Sequence, residues 1–424
     1  MTSLLSDPIL SPTMATIRPF AALRPRPDLA ERICELPYDV MSSEEARAIA
    51  SGNPLSFLRV SKPEIDLPPS TDVHAIGVYA RGQENFQRLI TQGALRQDPQ
   101  PCFYLYRQVR GPHNQVGLVA GASCEDYLSG RIKKHELTRP DKEDDRVRHI
   151  QTLRAQTGPA FLVYRSRQAI NELVARKTAE RPDIDFVAPD EVRHTAWVIA
   201  DSNVIGSIQA EFEHIPALYI ADGHHRSAAA VRIYQAAKQS GASAAASDNS
   251  AFFLSVIFPH DQVQILPYNR VVKDLNSWPT HEFLRKLESI FAVQAGGGAL
   301  PAKKHNFGLY LGGQWRALSL RPPLASAAAP VDQLDVTVLQ THVLGPILGI
   351  GDPRTSQRIH FVGGIRGAAE LEKLVNSNEF ACAFSLFPTS IEDLMTMADA
   401  NAIMPPKSTW FEPKLRDAMF CYLL

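Results

Sequence analysis

The sequence predicts a mixed α/β protein, and three observations lead to this class. Segments with strand character alternate with segments of helical period along the chain. The run 217–222, which has strand character and ends in Asp222, passes through Gly223 directly into an alanine-rich helix. The chain has 424 residues and is 45% hydrophobic, so it exceeds the size at which a single core usually stops growing. We therefore expect more than one domain.

Changes in composition predict how the chain is divided. The first thirteen residues contain no Lys or Arg and two prolines, which predicts a disordered extension rather than a signal peptide. After this extension we expect an N-terminal α/β region at 14–130, a core at 131–275 and a C-terminal α/β subdomain at 276–424. The low-complexity run 240–251 predicts a mobile loop.

Local patterns predict the individual elements. Ser42 or Ser43 is expected to cap a helix that has acidic residues in its first turn. Before residue 130 we further predict a strand at 57–66, a helix at 79–90 and a hairpin that turns at 110–115. In the core we predict a helix at 150–156, a strand at 160–164 and a hairpin over 251–272 that turns at 259–262. In the C-terminal subdomain we predict a helix at 281–290 and a strand pair at 307–320.

Charge and cysteine content exclude several classes of function. The 44 basic and 45 acidic residues leave a net charge of -1, so there is no global field to attract a nucleic acid. No apolar run approaches the ~20 residues of a membrane span, so we expect a soluble, cytoplasmic protein without a membrane partner. The five cysteines are scattered and lack CxxC spacing, which predicts buried free thiols.

The strand, glycine and helix around Gly223 form the strongest local signal for a ligand. This arrangement directs free backbone N–H groups and the positive end of a helix at an anion. His224, His225 and Arg226 fall in the first turn, where a cation opposes the helix dipole unless something negative binds there. We therefore predict a phosphate site.

Two other interpretations of this segment stay open. Asp222 can simply cap the helix and pair with Arg226, while one histidine is a satisfied core residue. A metal site formed by the two adjacent histidines is disfavoured, because neighbouring residues on a helix point about 100° apart.

The run DGHHRSAAA, residues 222–230, resembles the phosphate-binding signature of the ParB/sulfiredoxin superfamily. His224 stands where sulfiredoxins carry a reactive cysteine and where partition-type ParB proteins typically carry glutamate. A histidine at this place is similar to the free-serine kinases, which phosphorylate the hydroxyl of free L-serine. In that branch an upstream His-Glu pair supplies the catalytic carboxylate, and here the segment KKHELT contains His135 and Glu136.

From about Met14 to Leu424 the chain also resembles domain-of-unknown-function family 1015, which is often labelled ParB-like. The resemblance implies a ParB/sulfiredoxin-like phosphate-binding core at 131–275 with N-terminal and C-terminal additions. The segments that carry it are PYDV (37–40), KKHELTRPDKEDDR (133–146), AQTGP (155–159), IADGHHR (220–226), LPYNRVV (266–272), FVGG (361–364) and MPPKSTWFEPKL (404–415).

The resemblance to the kinase branch implies roles for individual residues. Glu136 is the candidate catalytic base, and Asp222 is a second catalytic candidate that could hold Mg²⁺ or the acceptor. Gly223 and the three residues after it would contact the phosphates of a nucleotide or polyphosphate donor. Weaker candidates for phosphate or substrate binding are Tyr38, Asp39, His135, Asn269, Arg270, Lys407, Ser408 and Thr409.

These assignments predict a phosphotransferase with an alcohol group as acceptor. It would be a Mg²⁺-assisted, ATP-binding or other nucleotide-binding kinase of serine metabolism that makes O-phosphoserine. The alternative is a ParB-like regulatory protein that binds CTP or ATP without kinase activity. Glu136 separates the two, because only the kinase requires it.

Overall fold

The computed structural model describes residues 14–241, 248–322 and 329–424. The described residues form two compact units: unit 1 is the described part of the chain up to Gln262 together with Pro413–Leu424, and unit 2 is the described part of Val263–Glu412. The predicted extension 1–13 and part of the predicted mobile loop, 242–247, lie outside the described residues. The predicted boundaries after residues 130 and 275 stay predictions.

Unit 1 is built on a large mixed sheet, so the predicted α/β class is confirmed. One edge strand, β6 (Ile132–Lys133), pairs in parallel with β11 (Leu218–Asp222), and β8 (Ala160–Tyr164) pairs in parallel with β12 (Phe252–Pro259), whereas the other described neighbours are antiparallel. In spatial order the strands are β6 (Ile132–Lys133), β11 (Leu218–Asp222), β8 (Ala160–Tyr164), β12 (Phe252–Pro259), β5 (His113–Ser123) with β1 (Ile17–Arg18) also paired to it, β4 (Phe103–Arg110), β10 (Arg193–Ile199) and β9 (Ile184–Val187).

Two short strand pairs complete the β structure described for unit 1. They are β2 (Leu23–Pro25) with β3 (Leu95–Gln97), and β7 (Ala155–Gln156) with β21 (Tyr422–Leu423). The second pair joins the last residues of the chain to the centre of unit 1.

Helices cover the sheet, and α6 packs against both α4 and α9. The described α-helices are α1 (Ala30–Ile33), α2 (Ser43–Ile49), α3 (Leu58–Ser61), α4 (Ile76–Thr91), α5 (Cys124–Leu128), α6 (Pro140–Leu153), α7 (Gln168–Thr178), α8 (Ser202–Phe212) and α9 (His224–Gln239), with 3-10 turns at Pro27–Leu29, Tyr38–Val40, Pro63–Asp66 and His260–Gln262.

The core of unit 1 lies between the sheet and these helices. Strand β8 is buried along its whole length, as expected for a strand with neighbours on both edges and helices on its face. The largest fully buried side chains around it include Trp197, Phe212 and Phe253. This core fixes β8 and β11, and with them the loops that follow the two strands.

Unit 2 has its own sheet and its own apolar cluster, which includes Val271, Leu371 and Phe380. In spatial order the strands are β15 (Phe291–Ala295), β17 (Gln314–Leu320), β16 (Asn306–Leu311), β19 (Cys382–Leu386), β14 (Tyr268–Val272) and β18 (Ile359–Gly363), with the separate pair β13 (Gln264–Leu266) and β20 (Trp410–Glu412). The described helical segments are Thr280–Glu288, Asp335–Leu339, Gly367–Asn376 and Ile391–Asp399, a π-helical turn at Gln340–Leu344, and 3-10 turns at Pro330–Gln333 and Gly364–Arg366.

Several predicted elements are confirmed. Ser42 caps α2 and forms a capping box with Glu45. The predicted helix at 79–90, the hairpin at 110–115, the strand at 160–164 and the strand pair at 307–320 are all present within a few residues. All five cysteines are buried free thiols, as predicted.

The strand predicted at 57–66 is wrong, because this segment forms α3 and a 3-10 turn. Phe57, Leu58 and Val60 are all buried, and that spacing suits a helix rather than the alternation of a half-buried strand. The helix predicted at 150–156 is also misplaced: α6 ends at Leu153, after which Ala155 and Gln156 pair with the C-terminal strand.

The hairpin predicted over 251–272 is wrong as well. Both edges of β12 are already paired, with β5 and with β8. After the turn His260–Gln262 the chain leaves this sheet, and β13 pairs with β20 in unit 2. Strand propensity therefore identified the strands, but not their partners.

In the part of the chain that the structure describes, no helix combines the length and the apolarity that crossing a membrane requires.

Asp335 gives unit 2 a predicted dependence of stability on pH. Its Oδ1 accepts a hydrogen bond of 2.8 Å from the amide of His305, and its Oδ2 is buried without a partner among the described residues. Burial raises the pKa of this carboxyl to about 7. In the unfolded chain the pKa of an Asp is about 3.9. Between pH 4 and pH 7 the native state therefore binds more protons than the unfolded state, and the free energy of unfolding falls as the pH rises through this range.

We therefore expect Asp335→Asn to raise the melting temperature of unit 2 above pH 7 and to have little benefit at pH 4. Thermal unfolding at pH 4, 6 and 8 measures this, with Asp332→Asn, an exposed carboxylate nearby, as the control. An equal effect of Asp335→Asn at all three pH values would contradict the raised pKa.

Candidate functional site

The turn between β11 and α9 is the centre of the candidate site. Gly223 has φ 88°, and a Cβ there would lie 3.2 Å from the Cα of Ala160. Only glycine fits this turn without strain. Because the residue before the helix is a glycine, no side chain from that position caps the first-turn amides. The predicted strand–glycine–helix arrangement is confirmed, and its helix end is suited to an anion.

Asp222 does not cap the helix, which corrects one sequence interpretation. Its Oδ1 accepts a hydrogen bond of 2.7 Å from the amide of Gly223, the residue next to it. The carboxylate is thereby held at the end of β11, in front of the helix rather than over its first turn.

Gly223→Ala is expected to destabilise unit 1 by about 1–3 kcal/mol, because alanine would hold an unfavourable φ and press against the backbone of Ala160. Urea unfolding gives the change in free energy. Gly130→Ala is the matched control, since Gly130 has φ 79° but a Cβ there meets nothing within 4 Å. Equal costs for the two variants would show that crowding at the turn is unimportant.

The parallel pairing of β6 with β11 brings the His-Glu pair to this turn. Ile132 lies beside Leu218 and Lys133 beside Tyr219, so the residues that follow the two strands leave the same edge of the sheet. The rings of His135 and His224 meet edge to face, with their centroids 4.5 Å apart. The two segments that the sequence singled out therefore form one cluster.

Glu136 completes the cluster. Its Oε2 lies 3.8 Å from Nδ1 of His224, and its side chain is 43% exposed whereas that of His224 is 5% exposed. The carboxylate is thus open to a small molecule from solvent while it contacts a buried ring. A catalytic role of Glu136 stays a prediction.

The histidines of the cluster are neutral near pH 7. Burial lowers the pKa of His135 to about 4, and burial lowers the pKa of His224 well below its usual range. The expected conflict between cationic first-turn residues and the helix dipole is therefore absent at His224. His225 is less buried, and its Nε2 accepts a hydrogen bond of 3.1 Å from the backbone amide of Arg139.

Asp222 is neutralised by cations from two directions. Lys414 donates to its Oδ2 at 2.8 Å, and the Arg226 guanidinium lies 4.0 Å from its Oδ1. Although burial raises the pKa of Asp222, these two cations hold it well below its usual range. These two cations already neutralise the carboxylate and would compete with a Mg²⁺ ion for it, and a role of Asp222 as a Mg²⁺ ligand stays a prediction.

Arg226 joins the turn to a third segment that the sequence analysis named. Its buried guanidinium donates to the carbonyl of Pro159 at 2.5 Å and lies 3.8 Å from Oδ2 of Asp39. The neighbouring Tyr38 ring lies under the guanidinium of Arg146, whose Cζ is 3.7 Å from the ring centroid. Tyr38 and Asp39 therefore belong to the same neighbourhood as the turn.

Sequence reasoning missed two residues of this site, Lys414 and Asp417. Both come from the C-terminal segment that returns to unit 1. Asp417 is buried, and burial raises its pKa to about 7 even though Arg226 opposes the shift. A Cβ at Gly158 would lie 2.6 Å from Oδ1 of Asp417, which explains why the AQTGP segment needs its glycine there. The only signal in the sequence was that MPPKSTWFEPKL includes Lys414.

The weaker candidates of the C-terminal part lie in unit 2. The Asn269 side chain accepts a hydrogen bond of 3.1 Å from the amide of Leu386, and Arg270 donates to the backbone carbonyls of Tyr268 and Lys407. These bonds give Asn269 and Arg270 a structural task within unit 2. A role in ligand binding for Asn269, Arg270, Lys407, Ser408 and Thr409 stays a prediction.

The fold and the site together define a class: a mixed α/β protein with a strand–glycine–helix turn, of a geometry suited to an anion, beside an exposed carboxylate. Comparison with protein families gives a more specific assignment. The model of the family described as "Protein of unknown function (DUF1015)" matches residues 17–337. The chain belongs to that family, and the predicted resemblance is confirmed over those residues.

Comparison with curated proteins finds no match. Among solved structures, a free serine kinase in complex with AMP is 14% identical, with 70% of this chain and 86% of that chain covered and a TM-score of 0.33. A conserved hypothetical protein from Pyrococcus furiosus is 14% identical, with 71% and 93% covered and a TM-score of 0.33. SbnI with C-terminal truncation from Staphylococcus aureus is 10% identical, with 70% and 85% covered and a TM-score of 0.37.

Proposed function

We propose that the protein is a small-molecule phosphotransferase that transfers a phosphoryl group from a nucleotide or polyphosphate to the hydroxyl of free L-serine. The observation that carries the proposal is the position of Glu136, an exposed carboxylate beside His224 in the first turn of α9. Phosphoryl transfer needs these two parts close together: a cradle for the donor phosphates and a group that aligns the accepting hydroxyl. The resemblance of DGHHR and KKHELT to the free-serine kinases supports the choice of serine.

In the proposed reaction the donor phosphates bind at the first-turn amides of α9, where the helix dipole favours negative charge. The serine oxygen attacks the terminal phosphorus, forming a new O–P bond while the bond from that phosphorus to the rest of the donor breaks. The hydroxyl proton passes to Glu136. His225 and Arg226 lie in the same turn and add hydrogen-bond donors or positive charge.

Mg²⁺ enters this proposal only as the counter-ion of the donor phosphates, because Asp222 is already paired with Lys414. Its chemistry there is to neutralise phosphate charge. Asp222 instead orients Lys414 and Arg226 at the base of the turn, and a direct contact of Asp222 with the acceptor stays a prediction.

The proposal is tested by incubating the protein with Mg²⁺, L-serine and one donor at a time: ATP, ADP, CTP or pyrophosphate. We expect phosphorus NMR to show O-phosphoserine with at least one donor, and only when serine is present. If no donor yields a phosphorylated product with serine or with other hydroxylated acceptors, the protein is not a kinase.

One observation favours a second candidate, a nucleotide-binding regulatory protein of the ParB type. Lys414 and Arg226 pair with Asp222 at the base of the turn without any involvement of Glu136, so nucleotide binding at the turn would not require Glu136. Under this alternative, CTP or ATP binds, no phosphoserine forms, and Glu136→Gln changes neither result. Calorimetric titration with each nucleotide distinguishes such a regulatory protein from one that binds no nucleotide.

A further inference from the structure

The cluster of His135, Glu136 and His224 has an unusual feature that phosphoryl transfer does not explain. Nδ1 of His135 and Nε2 of His224 are both buried without a hydrogen-bond partner among the described residues. His135 is only 2% exposed and His224 only 5% exposed. Unpaired polar atoms at such depth are costly, so something outside the described protein is expected to satisfy them.

The ring of His135 is oriented in the way that metal ligands usually are. It donates a hydrogen bond to the backbone carbonyl of Ile220. Because Nδ1 has no partner, the donor is Nε2, and the lone pair of Nδ1 is left available. A ligating histidine commonly donates its other ring N–H to a backbone carbonyl, which fixes the tautomer and the ring orientation.

The three side chains are close enough to share one ion. One nitrogen from each histidine and one oxygen of Glu136 all lie within 4.8 Å of one another. A tetrahedral ion with bonds of about 2.1 Å holds its ligand atoms roughly 3.4 Å apart. The exposed side chain of Glu136 can supply the small closing movement that this requires.

We propose that His135, Glu136 and His224 form a binding site for a divalent transition-metal ion of the Zn²⁺ type. Two imidazoles and one carboxylate favour such an ion over Mg²⁺ or Ca²⁺, which prefer oxygen ligands. Three protein ligands leave one coordination position open, as in catalytic zinc sites. The exposed carboxylate gives the ion a path of entry from solvent. The adjacent pair His224–His225 is not the ligand pair, because His135 supplies the second imidazole.

This proposal does not depend on the proposed phosphotransferase, since ion binding is measured on the full chain without nucleotide or serine. The chain is prepared without a polyhistidine tag, stripped with a chelator and titrated with Zn²⁺ against a chromophoric competitor. We expect one ion per chain. Co²⁺ in place of Zn²⁺ is expected to give the visible absorption of a tetrahedral site.

The matched variants are Glu136→Gln, His135→Gln and, as the control, His225→Gln. Replacing a residue that only orients a metal ligand typically lowers metal affinity 10–100-fold. Replacing a ligand itself, Glu136 or His135, is therefore expected to lower the affinity for Zn²⁺ at least about 100-fold. His225→Gln should bind Zn²⁺ as tightly as the unaltered chain. Glu136 is largely at the surface, so its variant is expected to fold even if His135→Gln does not.

A second readout follows thermal stability. Zn²⁺ should raise the melting temperature of the unaltered chain and of His225→Gln, but not that of Glu136→Gln, because an ion that binds the native state stabilises it. If the unaltered chain binds no Zn²⁺, or if Glu136→Gln binds it as tightly as the unaltered chain, the proposed metal site does not exist.

Discussion

Replacing Glu136 with glutamine is expected to lower the rate of serine phosphorylation at least about 100-fold, since a positioned general base contributes roughly 10²–10⁴ to such a rate. The affinity for the nucleotide should stay unchanged, because the amides of α9 and the cation Arg226 are intact. Steady-state kinetics with serine and calorimetric titration with the nucleotide measure the two quantities separately.

Asp144→Asn is the matched control for this variant. Asp144 lies in the same charged segment, and its half-exposed side chain pairs with Arg232 on α9 at 2.8 Å. It should phosphorylate serine at the unaltered rate. If Glu136→Gln keeps full activity, the catalytic assignment is wrong even though the protein is a kinase. If the unaltered chain binds nucleotide but has no activity, the regulatory alternative applies.

Replacing Lys414 with methionine is expected to destabilise unit 1 by about 3 kcal/mol. Lys414 is the cation closest to Asp222 in the part of the chain described, and its side chain is only 12% exposed. Without it, a largely buried carboxylate keeps only the more distant Arg226, and breaking a buried pair from one side typically costs 3–5 kcal/mol. Urea unfolding of unit 1 measures the change.

A double variant separates loss of the charge pair from loss of packing. In Lys414→Met with Asp222→Asn the unpaired charge is removed, so the double variant should be more stable than Lys414→Met alone. Lys238→Met is the surface control, since Lys238 pairs with Glu125 at 3.0 Å but is 66% exposed, and exposed pairs contribute little to stability. Equal costs for Lys414→Met and Lys238→Met would show that Asp222 does not need its partner.

The local part of the candidate site could be predicted from the sequence. A short apolar run, a glycine and an alanine-rich helix specify the turn, because these signals lie within fifteen residues of one another. The place of Glu136 was also predictable, but only through the resemblance to the kinase branch. The parallel pairing of β6 with β11 explains it, and pairing between distant strands leaves no local pattern.

The remaining parts of the site depend on contacts over long distances in the sequence. Lys414 and Asp222 are 192 residues apart, and neither residue carries a local sign of its partner. The same limit explains the incorrect hairpin over 251–272, where strand propensity was correct but β13 pairs with β20. The charge states were mispredicted for a related reason, because the neutral form of His224 follows from its burial.

A structure of the Glu136→Gln variant with ATP and L-serine would locate both substrates of the proposed reaction. We expect the terminal phosphates to lie at the first-turn amides of α9, next to Gly223 and His225, with the serine hydroxyl beside the side chain of residue 136. Phosphates bound elsewhere on the chain, or a serine hydroxyl away from residue 136, would contradict the proposed reaction.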